Sequence, residues 1–403
     1  MIKRFAVRNF KILQNVSIEA APLNVFIGPN GSGKSSLLQA IDFMRAFFLP
    51  SIDVYLERRG WKYRDIPNLK GSSKTIQWEM SAALDGDAEG RGAGLYDYSI
   101  SLSPKRYLGI GREQLDYTPL EGERITLLKR IGRRIQIFDR KKNNLASYVA
   151  PNLPTGAVAA FSNFGRENAQ IEMRLFARWV RRFRYFEALD PKSMRNPDRG
   201  KYVYLGSSGE HLGPVVASLK NHRPESFAKL LARLKAFFPN LSDISFTGQA
   251  WGWRSIRLHE KHGTKEFVLN NRQVSDGLLR LLAMTTFLYL DVIPSVMMFE
   301  EPENGVHPHI LREMVLILKE LTLRKSPNAT QVFFTTHSPY VLDEFTDHPE
   351  QVWVTDNSYS KGGTKIVRLS DQSQLANVKK AFESLGEAWF FNAIGGNPPS
   401  MLF

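Results

Sequence analysis

The residues best equipped for chemistry lie in three stretches far apart in the chain. The first is Gly28-Pro29-Asn30-Gly31-Ser32-Gly33-Lys34-Ser35, followed by Ser36. Its glycines let the backbone curl until N–H groups face phosphate oxygens. The Lys34 ammonium is placed for the β- and γ-phosphates of a nucleotide, and the Ser35 hydroxyl for Mg²⁺. The second stretch is Val296-Met297-Met298-Phe299-Glu300-Glu301, four apolar residues ending in two carboxylates. Glu300 can hold Mg²⁺ directly or through a water, and Glu301 can polarise an attacking water. The third is Thr336-His337-Ser338-Pro339. A neutral His337 imidazole there could sense or stabilise a γ-phosphate and the attacking water. His307 and His309 read as structural or interfacial, because no tight His and acid cluster accompanies them.

These stretches need elements that bring them together. Leu23–Ile27 reads as a buried strand feeding the glycine loop, and the helix that follows runs to about Phe48. That is the strand–loop–helix context the loop requires. Val296–Phe299 and Ala329–Thr335 read as further buried strands, each delivering its polar residues at a C-terminal edge. Binding crevices of open α/β sheets lie along that edge. Pro302–Pro308 is a turn before an amphipathic helix, Ile310–Leu323. Val274-Ser275-Asp276-Gly277-Leu278-Leu279-Arg280 opens an apolar helix to about Leu290, with Ser275 as its N-cap. Near the start, Ile2–Val7 and Val16–Glu19 read as strands around a turn at Asn9-Phe10-Lys11.

The middle of the chain carries less chemistry. Thr75–Leu84 and Leu95–Leu102 read as strands around a glycine-rich loop. Ile125–Phe138 reads as one half-exposed strand with a basic end. Glu167–Phe186 reads as a single helix, apolar at Ile171, Leu175, Trp179 and Phe183 and basic at Arg174, Arg178, Arg181, Arg182 and Arg184. A basic helix can lie along a phosphate backbone, although solvated helix faces are commoner. Two amphipathic stretches, Pro214–Asn221 and Pro224–Phe238, precede short strands at Ile244–Phe246, Arg254–Glu260 and Glu266–Leu269. No heptad array or internal repeat is present.

Composition narrows the function classes. The 403 residues are 43% hydrophobic and 23% charged, which excludes bulk disorder. With no cysteine, a disulfide scaffold, a Cys-type zinc site and a thiol nucleophile are excluded. Lys+Arg exceeds Asp+Glu by 54 to 40, a net charge of +14 that permits nucleic acid or an acidic protein as partner. No apolar run is long enough for a bilayer, and residues 1–8 have no signal-peptide core, so a cytoplasmic location is expected.

The order of the motifs Gly28–Ser36, Val274–Arg280, Val296–Pro308 and Thr336–Pro339 resembles the ATP-binding-cassette superclass. Within it, the chain is similar to the single-chain AAA-type ATPases related to the heads of OLD, RecF and SMC proteins, without a Toprim domain. The opening Val7-Arg8-Asn9-Phe10-Lys11 resembles the start of those heads, and Leu385-Gly386-Glu387 with Gly395-Gly396 resembles their tail. Ser275-Asp276-Gly277 matches the signature, Glu300-Glu301-Pro302-Glu303-Asn304 the Walker B and D-loop, and His337 the switch histidine. Glu300 stands where an Asp is usual, and Val-Ser-Asp-Gly-Leu differs from the transporter signature. Gln77, Gln114, Gln136 and Gln170 are all candidates for the Q-loop glutamine.

The resemblance implies an α/β P-loop fold with a mixed N-terminal sheet, a mainly parallel core sheet and a helical insertion. The expected lobes are 1–159 and 242–403, with the insertion at 160–241. It also implies catalysis by Lys34, Glu301 and His337, with ATP held by Asn30 to Ser36 and Mg²⁺ by Ser35 and Glu300. Two heads would clamp two ATP molecules, Ser275 and Gly277 of one contacting the γ-phosphate in the other. Glu303 and Asn304 would lie near that seam. The expected function is Mg-dependent ATP hydrolysis that closes a homodimer on DNA, or on RNA, in repair or anti-phage defence. The alternative is a regulatory ATPase that controls a separate nuclease or toxin effector with little DNA contact. No room is expected for an acid-rich Toprim domain, and so no intrinsic nuclease.

Overall fold

The computed structural model describes residues 1–403 apart from 72, 74, 105–107, 141, 150–152, 154, 164–170, 249–253, 325–328, 359–362 and 396–403. Three sheets organise it. The functional edge belongs to a six-stranded sheet containing β3 (Leu23–Ile27), β10 (Phe183–Phe186), β14 (Val296–Glu300), β15 (Gln331–Thr335), β16 (Val352–Ser358) and β17 (Gly363–Arg368). Its order is β10-β14-β15-β3-β16-β17, parallel except for the last pair.

The core strands are apolar because both faces are covered. Leu23, Val25 and Ile27 point into one hydrophobic core, with Met297, Phe299, Val332 and Phe334. Phe26 points the other way, with Met298, Phe333 and Trp353. In that second core Phe26 stacks between Phe333 at 6.4 Å and Trp353 at 6.2 Å.

The second core is roofed by an eight-stranded sheet, with every adjacent pair antiparallel. Its strands are β1 (Ile2–Phe10), β2 (Leu13–Glu19), β4 (Ile76–Asp85), β5 (Ala93–Pro104), β6 (Leu108–Pro119), β7 (Ile125–Ile131), β8 (Arg134–Asp139) and β9 (Asn144–Val149). Helix α1 (Lys34–Ala46) lies between the two sheets and contributes Leu37, Leu38, Ile41 and Phe43 to the shared core. Phe43 stacks on Trp78 of β4 at 5.1 Å. Gln331 joins the sheets at their start: its amide accepts from the Ile2 N–H and donates to the Ile2 and Ala21 carbonyls.

The first core is covered by α6 (Leu212–His222), α7 (Pro224–Phe237), α8 (Asp276–Phe287) and α9 (Pro308–Thr322), and by a three-stranded sheet. That sheet orders β11 (Leu241–Gly248), β12 (Arg254–His262) and β13 (Lys265–Asn270).

Two middle segments differ from expectation. Ile125–Phe138 is a hairpin, β7 and β8, because Gly132 takes φ 58° and turns the chain. Glu167–Phe186 is not one helix. Helix α4 (Ile171–Arg181) stops, and Phe183–Phe186 becomes β10, paired in parallel with Val296–Phe299. Residues 160–241 therefore hold one strand of the core sheet as well as helices. No described helix is long and apolar enough to cross a membrane.

Candidate nucleotide and metal site

The loop after β3 ends at Gly33, which caps α1 in the left-handed region at φ 107° with no side-chain cap. An uncapped helix start presents N–H groups and the positive end of the helix dipole to an anion. A Cβ on Gly28 would lie 2.2 Å from the Thr355 carbonyl oxygen of β16, so only glycine fits there. The Ser32 hydroxyl meets the Thr355 hydroxyl at 2.6 Å, fixing the loop to the sheet. Lys34 lies across the loop, donating to the carbonyls of Gly28 (2.7 Å) and Pro29 (3.0 Å). Burial lowers its pKa to about 8, against the opposing pull of Glu301 and Glu300.

Glu300 ends β14, one strand beyond β15. Its Oε1 accepts from the Tyr185 hydroxyl and, at 3.4 Å, from the Gln39 amide. The Ser35 hydroxyl also donates to this carboxylate. Burial nevertheless raises the Glu300 pKa, outweighing those hydrogen bonds. A carboxylate and a hydroxyl side by side fit Mg²⁺, which takes one or two protein oxygens and fills its shell with water and phosphate. No group of three His, Asp or Glu side chains forms a metal cage among the described residues. A metal here would depend on the nucleotide's own oxygens.

Glu301 turns off the strand at φ 41°, a conformation costing a non-glycine residue about 1 kcal/mol or more. Its N–H donates to the Thr335 hydroxyl at 3.1 Å, which helps to hold the turn. The turn brings its Oε1 to 3.3 Å from His337 Nε2. Burial and the neighbouring Lys34 lower the His337 pKa, while Glu301 opposes them. The net shift favours the neutral imidazole, which can donate one N–H.

These groups share a cavity of about 860 Å³. Asn30, Gly31, Ser32, Gly33, Lys34, Ser35, Ser36, Glu301 and His337 all line it, and Glu300 is reached through Ser35. Lys11, Gln14, Arg64, Asp65, Asn68 and Lys70 are also part of the wall. The Lys11 ammonium donates to Gln39 at 2.7 Å and sits 3.5 Å from the Trp61 ring centroid. Burial, then Arg59, lowers its pKa to about 8.

Ser275 and Gly277 are not in this wall. They open α8, where the Ser275 hydroxyl accepts the Leu278 N–H at 3.3 Å. Arg195 clamps the loop before them, donating to the Asn271 carbonyl (3.0 Å), the Val274 carbonyl (2.7 Å) and Asp276 (2.5 Å). Of the glutamines singled out in the sequence, Gln77 is exposed on β4, Gln114 bonds Asp116 and Gln136 bonds Ser147. None lines the cavity, and Gln170 lies outside the described residues.

The basic helix differs from its sequence reading. Arg181 donates to the Phe48 carbonyl, Arg182 to the Ile293 carbonyl, and Arg184 to those of Arg181 and Phe183. Arg174 and Arg178 are the exposed members of the set.

Residues 23–343 match the family described as "AAA domain, putative AbiEii toxin, Type IV TA system". The chain belongs to this family. As an AAA-domain protein it has the ATPase type of fold. It is 22% identical over 400 residues to the OLD nuclease of Thermus scotoductus, covering 95% of this chain and 67% of that one. Among solved structures, the Smc head crystallised with the C-winged-helix domain of ScpA is similar at a TM-score of 0.53 and 14% identity. The likeness covers 91% of this chain and 97% of that one. The shared architecture is that of an SMC-type ATPase head.

Tyr185, Gln39 and Lys11 escaped the sequence reading of the site. Gln39 lies four residues beyond Ser35, on the same face of α1. That spacing was the available signal. Tyr185 is placed only by the pairing of β10 with β14.

Proposed function

We propose that this AAA-domain protein is a Mg-dependent ATPase whose nucleotide-driven pairing controls a separate nuclease or toxin effector. The observation that carries the reading is the convergence of Lys34, Ser35, Glu301 and His337, from three distant stretches, on one cavity. The loop amides and Lys34 would hold the triphosphate, and Ser35 with Glu300 would hold Mg²⁺. Bound there, the ion would neutralise charge on the β- and γ-oxygens. Glu301 would accept a hydrogen bond from the attacking water. His337, its Nε2 3.3 Å from the Glu301 carboxylate, would orient that carboxylate and donate toward charge developing on the γ-phosphate. The products are ADP and phosphate. Ser275 and Gly277, away from the cavity of their own chain, would serve the nucleotide of a second copy. The effector part of the proposal draws on the toxin-system description of the family and on the nuclease named in the Thermus relative.

Phosphate release by Glu301→Gln tests the chemistry. Turnover should fall about 10²-fold or more while ATP binding persists. Co-expression with the product of the adjacent gene tests the output. Its toxicity or nuclease activity should change with the nucleotide state, wild type against Glu301→Gln. An effector indifferent to both would overturn the regulatory reading.

The nucleic-acid reading has one observation in its favour, on a different surface from α4. On the open face of the eight-stranded sheet, Arg8, Gln77, Ser101, Arg112, Ile131 and Arg134 form one cross-strand row. Arg8, Arg112 and Arg134 are exposed. At about 4.8 Å per strand they stand about 14 and about 10 Å apart. Duplex binding that falls steeply with salt and is lost in Arg112→Glu/Arg134→Glu would establish it.

A further inference from the structure

Glu303 follows the catalytic turn but points away from the cavity. Its Oε1 accepts the Thr336 hydroxyl at 2.6 Å and the His337 N–H at 3.3 Å. The stem of the residue reaches solvent, whereas the carboxyl end is buried. Its Oε2 is buried with no hydrogen-bond partner among the described residues. Thr336 passes the hold onward: its hydroxyl accepts the Ser338 N–H at 3.0 Å, and its own N–H donates to the Phe26 carbonyl of β3. Thr336 is fully buried. A carboxyl with one oxygen spent on a turn and the other unpaired is costly to bury. An apolar residue in its place would remove the unpaired oxygen but leave the Thr336 hydroxyl and the His337 N–H without their acceptor.

What the acid does provide is geometry. His337 leaves the end of β15 as the first residue whose side chain reaches the cavity. The placement of its ring follows from its backbone, and among the described residues the side chain bonded to its N–H is that of Glu303. The Glu301 N–H is bonded to Thr335 on the same strand end. The turns after β14 and β15 are thus stitched twice, once on each side of the Glu301–His337 contact.

We infer that Glu303 is a positioning residue for hydrolysis: by accepting from Thr336 and His337 it sets the imidazole against Glu301. It does not line the cavity. The inference rests on the ATPase reading above and adds a residue that the chemistry needs but does not contact. It also assigns the form of the carboxyl that works. An acceptor at Oε1 is required, and a negative charge is not. Burial raises the Glu303 pKa, with the hydrogen bonds from Thr336, its own N–H and His337 opposing.

The test compares Glu303→Gln, Glu303→Ala and Thr336→Val in the full chain, each checked by thermal melting and by binding of a fluorescent ATP analogue. Gln keeps the acceptor and should retain turnover within about threefold of wild type. Ala removes it and should lower kcat about 10²-fold with little change in KM, the loss expected when a reacting group is misplaced by about an ångström. Thr336→Val removes the shorter of the two bonds to Oε1, together with the acceptor of the Ser338 N–H, and should give a smaller loss in kcat. If Glu303→Ala fails to fold, Thr336→Val against Glu303→Gln still separates the cases. Wild-type kcat in Glu303→Ala, or in Thr336→Val if Ala does not fold, would overturn the inference. So would a Gln variant as slow as the Ala variant, since charge would then be what matters. Wild-type protein that binds the analogue but releases no phosphate would instead overturn the ATPase reading.

Discussion

Lys34 spends its hydrogen bonds on two carbonyl oxygens and is held to a pKa of about 8, chiefly by burial. A triphosphate in the cavity would supply the negative charge that burial makes valuable, and the pKa would rise. The sign follows: the free protein is partly deprotonated above pH 7, the complex is not, so binding takes up a proton. Uptake from Lys34 should climb from about a tenth of a proton at pH 7 to about nine tenths at pH 9. Titration calorimetry with ATP in buffers of different ionisation enthalpy measures it. Lys11, held to about 8 in the same wall, would add to the rise. An uptake flat across that range would mean that neither ammonium meets the phosphates. Gly28 allows a second expectation at this scale. Gly28→Ala pushes a methyl into the Thr355 carbonyl, so the loop must shift, and ATP affinity should fall about tenfold or more, with about 1–3 kcal/mol lost in a denaturant melt. The residues legible from sequence were those whose neighbours in the chain are also their neighbours in space. Lys34 and Ser35 are read from one octapeptide. Tyr185 reaches Glu300 only through strand pairing, and Lys11 reaches Gln39 only where α1 packs beside the end of β1, so no local spacing announces either.

The junction between α4 and β10 shows why an element can be misread while its residues are read correctly. Phe183 continues the apolar spacing of α4, so the periodicity runs past the true end. What stops the helix is tertiary. The Arg182 side chain donates to the Ile293 carbonyl, and its own carbonyl accepts the Ser295 N–H, just where β14 begins. Phe183–Phe186 is rich in aromatic residues, and with that edge available it pairs instead of winding on. The core strands were legible for the opposite reason: apolar runs covered on both faces have no competing reading at that length. Arg182 should therefore behave as a structural residue. Arg182→Ala leaves the Ile293 carbonyl without its partner and should cost about 1–3 kcal/mol in a urea melt. Arg178→Ala, on the exposed face, should stay within about 0.5 kcal/mol. Equal effects would mean that the arginines of this segment are not divided as the hydrogen bonds divide them.

At the scale of the whole molecule, the parallel sheet gathers Lys34, Glu300, Glu301 and His337 along one edge but leaves Ser275 on another element. Helix α8 is anchored by its own core face and by the hold of Arg195 on the preceding loop, so Ser275 cannot swing into its own cavity without breaking both. If Ser275 acts on a nucleotide, that nucleotide belongs to a second copy. Two inactive variants then become complementary. A Lys34→Ala chain cannot hold the triphosphate productively but still offers Ser275. A Ser275→Arg chain holds it but presents a bulky cation where the small hydroxyl belongs. Each alone should be nearly inactive. Mixed in equal amounts, half of the pairs combine one of each and carry one working site, so turnover should return to about a quarter of wild type. Light scattering of Glu301→Gln with ATP should show the paired species directly. Recovery on mixing is what a site shared between two copies demands. A mixture no faster than its parts, from variants that each still fold, would return the reaction to a single chain.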